Sequence, residues 1–129
     1  METETTYRDM HIKALQWKVT LQQAEELLYG IEKKLHTINS RPGITNVDVT
    51  MERLSKSAKK KSEEINRIKQ SISYFENRLS LMNECDTSQC DTAFFEEAEA
   101  ISLQVKKVNK NVNVLSSKID IIKESKILD

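Results

Sequence analysis

Residues that let a chain turn are scarce: the 129 residues include one proline and two glycines, against usual shares of roughly 5% and 7%. A chain with so few breaking points must build long elements. Aromatic residues are also rare, at 5%, while 31% of the chain is charged. That balance suits amphipathic helices with thin apolar seams better than a thick globular core. Cysteine is limited to Cys85 and Cys90, too little for a disulfide framework in a chain with no secretion signal, so both are expected to be free thiols. No eighteen consecutive apolar residues occur, which excludes a transmembrane helix. The opening Met1-Glu2-Thr3-Glu4-Thr5 is acidic and polar, unlike a signal or transit peptide, and the sequence has no Asn-x-Ser/Thr glycosylation sequon. Twenty basic and twenty acidic residues cancel, so bulk charge gives no pull toward nucleic acid or membrane. The setting these absences imply is intracellular and cytoplasmic, compatible with a cytoskeletal or nuclear place.

What is present is periodic. A first run reads Tyr7, Met10, Ala14, Trp17, Leu21, Ala24, Leu28, Ile31, Leu35, Ile38, in steps that alternate three and four. A period of 3.5 puts every one of these side chains on a single stripe of a helix. Gly30 lies beside the stripe and weakens the helix by about 1 kcal/mol relative to alanine, too little to end it. A second run, Val47, Met51, Leu54, Ala58, Lys61, Ile65, Ile68, Ile72, Phe75, Leu79, Met82, keeps the same steps with one polar intruder, Lys61. The stripe is thinnest there, because Ala58 and a lysine bury little apolar area. The third run is Phe94, Ala98, Ile101, Val105, Val108, Val112, Leu115, Ile119, Ile122. Its seam is largely β-branched, and Asn109, Asn111 and Asn113 are poor helix formers, so tertiary packing must hold this segment.

Two breaks separate the runs. At Asn39-Ser40-Arg41-Pro42-Gly43 the proline cannot continue a helical ladder. A restart follows, with Thr45 placed to cap, Asp48 three residues on, and Ile44 and Val49 spaced as a hydrophobic staple. The second break, residues 83–92, holds no strong apolar residue and several capping types. The expected architecture is all-α: a single domain over 1–129 with helices at about 5–38, 45–83 and 92–126. Each would be roughly 50 Å long, folded up, down and up as an antiparallel, coiled-coil-like bundle.

Tyr7 and Trp17 stand ten residues apart in the first run. This spacing of an aromatic ahead of a seam tryptophan resembles the first helix of a spectrin repeat, and Val47 to Met82 is similar to the second. The resemblance implies a three-helix bundle and covers most of the chain. It fails in the third run, where the family commonly keeps another tryptophan and this chain has Val105 or Val108. The chain is also somewhat longer than one such repeat.

Catalytic chemistry has no foothold: there is no glycine-rich phosphate loop, no HExxH and no nucleophile elbow. No enzyme activity, cofactor or small-molecule substrate is expected. A zinc site at Cys85 and Cys90 would need two further ligands. His11 alone could approach that loop, and it lies off the seam. Charge is uneven despite the zero sum. Seven basic residues face three acidic ones from Glu52 to Lys69, whereas Glu84, Asp86, Asp91, Glu96, Glu97 and Glu99 stand without a cation between them. The acidic group suits the positive start of a helix. The lysine cluster reads as a solvated face, since no aromatics interleave it for nucleic-acid stacking, so nucleic acid is not an expected partner.

Apolar residues off the seam are more telling. Ile12, Leu15 and Val19 form a second stripe on the first helix, and Val114, Ile121 and Leu128 recur every seven residues on the third. Aligned apolar sets can mark partner helices, although a three-helix bundle also needs a wide inward face. The expected function is a structural or adaptor protein that binds other helical or coiled-coil proteins, with self-association one form of this. A cytoskeletal, tethering or chromosome-associated complex would be its setting. The alternative is a regulatory binding module of membrane-trafficking machinery, like SNARE amino-terminal bundles.

Overall fold

Apolar residues spaced three and four apart bury a narrow stripe only if the backbone is helical, and three such stripes can close on one another. A computed structural model of the chain describes residues 2–39, 48–81 and 88–127, with side chains at 7–37, 51–81 and 92–121. It consists of α1 (Glu2–Asn39), α2 (Asp48–Leu79) and α3 (Ser88–Ile127), with no strand among the described residues. All three pairs of helices are in contact. The protein is an all-α three-helix bundle.

Direction follows from pairs that bridge the helices. Lys18 pairs with Glu76 at 2.6 Å and Glu25 with Lys69, so seven residues up α1 correspond to seven down α2. Trp17 reaches Ser102, and Lys34 reaches Asp120, so α3 runs alongside α1 in the same direction. The arrangement is up, down and up.

The core is the seam. Every buried hydrophobic side chain belongs to one of the three runs, from Met10 to Leu35, Met51 to Leu79 and Ala98 to Ile119. Tyr7, Leu54 and Phe94 are seam residues that pack against the core while only partly buried. Ile38, Val47, Met82 and Ile122 have side chains outside the described residues. Near the α2–α3 end, aromatic rings knit the three helices. Trp17 meets Phe75 edge-on at 5.5 Å, and Phe75 meets Phe94 at 5.7 Å, a geometry that sets the positive ring edge against a negative face. Lys61 keeps its seam position. Its side chain is 17% exposed and its ammonium lies 4.0 Å from Glu64, so the stem is covered while the charge reaches outward.

Helix ends differ from the sequence reading. α2 stops at Leu79 rather than near 83. Leu81 N–H donates to the Arg78 carbonyl at 3.0 Å, an i to i+3 bond that tightens the turn, and Ser80 Oγ takes the Asn77 carbonyl at 2.7 Å. A serine hydroxyl so placed competes with the helical ladder. At the other boundary α3 begins at Ser88, ahead of the expected 92. Cys90 therefore stands in the first turn of a helix and not in a loop. The Thr45 cap and the Cys85 position lie outside the described residues, as does Ile44 of the staple. In mid-α3, Asn113 Nδ2 donates to the Asn109 carbonyl at 2.8 Å. The asparagine-rich stretch is helical, held on its inner side by buried Val105, Val108 and Val112.

Candidate interaction surfaces

The off-seam apolar residues of α1 are surface residues. Ile12, Leu15 and Val19 are 47%, 60% and 54% exposed, so they do not widen the core. Spacing of three and four aligns them, and the same spacing continues through Gln22 and Glu26 to Tyr29. The Tyr29 ring is 61% exposed but is covered by the Lys33 ammonium 4.7 Å from its centroid. Tyr74 on α2 is treated in the same way by Arg78, also at 4.7 Å. Each is an i, i+4 pair in which a cation sits over the ring face. No such cover lies over the aliphatic residues at 12, 15 and 19 among the described contacts.

On a different face, where α1 meets α3, the two helices leave a groove of about 570 Å³ that none of these three residues lines. Trp17 forms its floor at 5% exposure and donates from Nε1 to Ser102 Oγ at 2.9 Å. Burial of the indole requires such a partner for its N–H. Lys13 and Thr20 line the α1 wall, and Glu99 and Lys106 the α3 wall. Leu103, 68% exposed, caps the α3 side. Leu103 escaped the sequence reading because a single leucine flanked by Ser102 and Gln104 forms no periodic set.

On α3, Val114 and Ile121 are 44% and 66% exposed, and Leu128 lies outside the described residues. Ile121 sits at the level of Lys34, as the Lys34–Asp120 pair at 2.7 Å fixes. By the same register Val114 is level with Leu28, so about sixteen residues of α1 separate the centre of the α3 pair from that of the α1 stripe, or roughly 25 Å along the rod. The structure keeps the two apolar groups apart at opposite ends. Phe95 and Leu81 add exposed apolar surface near the α2–α3 end.

Polar groups are dispersed. His11 packs edge-on against Tyr7 at 4.5 Å. Among the described residues no three His, Cys, Asp or Glu side chains come together as a bound metal would require, and no helix is long and apolar enough to cross a membrane. Compared with known proteins, the chain matches no family model, no curated protein sequence and no solved structure.

Proposed function

We propose that this protein is a non-enzymatic adaptor whose α1 surface docks a helix of another protein. The observation that carries the reading is the exposed stripe Ile12, Leu15 and Val19, aligned on the face of α1 turned away from the seam. A partner helix with apolar residues at i, i+3, i+4 and i+7 would bury that stripe. Placement within a cytoskeletal, tethering or chromosome-associated complex, in the cytoplasm, is the setting such a rod suits. The spectrin-repeat-like reading is supported by Tyr7 and Trp17, both set against one core, and weakened by the valines at 105 and 108.

The test compares wild type with a Leu15→Glu and Val19→Glu double variant in affinity capture from the native cell and in sedimentation. Expected is loss of a specific helical partner, or of self-association, with helicity and melting temperature unchanged. Equal capture by both proteins removes this surface from the proposal.

A second reading rests on the groove between α1 and α3 that Trp17 floors. A bundle with an open α1–α3 face can hold a helix intermittently, as regulatory SNARE amino-terminal bundles do. Binding that a competing peptide reverses quickly, with no stable complex in sedimentation, favours the regulator over the scaffold.

A further inference from the structure

Along most of the bundle's edges, cations that bridge helices are matched across the gap by carboxylates. Lys18 meets Glu76, Lys69 meets Glu25, Lys34 meets Asp120 and Arg78 meets Glu97. One stretch of the α2–α3 edge departs from this. There Lys60, Lys61 and Arg67 of α2 converge with Lys107 of α3 on a groove of about 580 Å³. Glu64 is the only carboxylate lining it, and it is engaged by Lys61 at 4.0 Å. Lys60, Arg67 and Lys107 form no ion pair among the described residues. Lys60 and Arg67, seven residues apart, stand in line along α2. Like charges gathered in one groove repel and do not help the bundle close. The remaining polar lining is rich in donors: the Ser71 hydroxyl and the Gln104 and Asn111 amides. Ile68 and Val108, both buried, form the floor.

We infer that this α2–α3 groove is a binding site for an anion carrying several phosphates. Arg67 offers the forked, bidentate geometry that phosphate oxygens accept, and Lys60 and Lys107 supply point charges on either wall. The neutral donors can take the oxygens that the cations leave. Two adjoining phosphoryl groups fit this spread of charge better than one, because the cations come from both helices and not from one tip. Such a group can arrive on a soluble polyphosphate or on a lipid headgroup, and the recognising chemistry is the same. The solvated lysine face expected from residues 52–69 thus becomes, with Lys107 opposite, one wall of a site. This inference does not depend on the α1 docking surface.

The test uses the full chain at low salt. Inositol hexakisphosphate is titrated calorimetrically, and vesicles of phosphatidylcholine with or without phosphatidylinositol bisphosphate are co-sedimented with the protein. Saturable binding is expected in at least one arm. It should weaken by roughly tenfold or more in Arg67→Glu with Lys107→Glu, with helicity intact. Arg8→Glu with Lys33→Glu changes net charge equally and should bind like wild type. Binding of the soluble polyphosphate alone assigns a free ligand, and binding of the bisphosphate vesicles assigns a membrane headgroup. Equal weakening in both double variants, or no saturable binding of either probe, overturns the site. A milder pair, Arg67→Gln with Lys107→Gln, repeats the measurement should the charge reversals unfold the chain.

Discussion

Trp17 and Ser102 are joined across α1 and α3 by a 2.9 Å hydrogen bond from the indole Nε1 to the hydroxyl. The bond lies where Trp17, Phe75 and Phe94 meet edge to face in succession, so one tryptophan ties all three helices. Replacing Trp17 with alanine removes the ring and the bond together, and should destabilise the fold by roughly 3–5 kcal/mol. Ser102→Ala strips the partner alone and should cost about 1 kcal/mol, since the indole N–H is left unsatisfied. Chemical denaturation followed by helicity measures both. Because Trp17 is the single tryptophan and is buried, a blue-shifted emission is expected in the wild type and should be lost on unfolding.

Gly30 lies in the interior of α1, and beyond its own helical turn a methyl group added there meets nothing within 4 Å. Gly30→Ala should therefore raise stability by about 0.5–1 kcal/mol, through lower backbone entropy in the unfolded chain. An unchanged or lowered denaturation midpoint would show that the space is needed.

Lys61 interrupts an otherwise apolar seam with a side chain only 17% exposed. Its contact with Glu64 is long, and such a pair contributes little to stability. Lys61→Leu restores the seam and should stabilise the bundle by roughly 1 kcal/mol. If the midpoint falls instead, the lysine stem already fills its site and the branched side chain overpacks it.

Ile121→Glu together with Leu128→Glu should leave helicity and melting temperature nearly intact, because Ile121 is 66% exposed. If the α3 apolar pair is a second docking face, association in a sizing run should disappear in this variant. Loss of fold alongside loss of association would mean that the carboxyl-terminal turn of α3 belongs to the bundle's own core.

The seam was legible because a 3.5 period is a local signal that each helix carries by itself. All buried hydrophobics fall on positions the spacing picks out, down to Ala58 and Ala98. The helix ends were less legible. The stop at Leu79 is decided by Ser80 and Leu81 taking carbonyls that α2 could have used, a competition that periodicity does not encode. Surface features split in the same way. Ile12, Leu15 and Val19 announce themselves by alignment, whereas Leu103 becomes notable only when α3 is laid beside α1. The cationic groove is of that second kind as well. Lys107 is forty residues or more from Lys60 and Arg67 in sequence, and only the antiparallel register of α2 and α3 brings it opposite them.

A seam that repeats every seven residues is nearly blind to position: slid by one heptad, α2 would still present aliphatic side chains to aliphatic side chains. The aromatic cluster has no such copy, because Trp17, Phe75 and Phe94 occur once and at one level. It acts as the index mark on an otherwise uniform ruler. Because the same three helices run through both halves, a pull along the rod cannot slide the aliphatic half by a notch without first parting the aromatic contacts. Stretching single molecules by their ends should therefore show one high-force event when the aromatic cluster parts, and any later slip by a heptad would measure near 10 Å, the rise of seven helical residues.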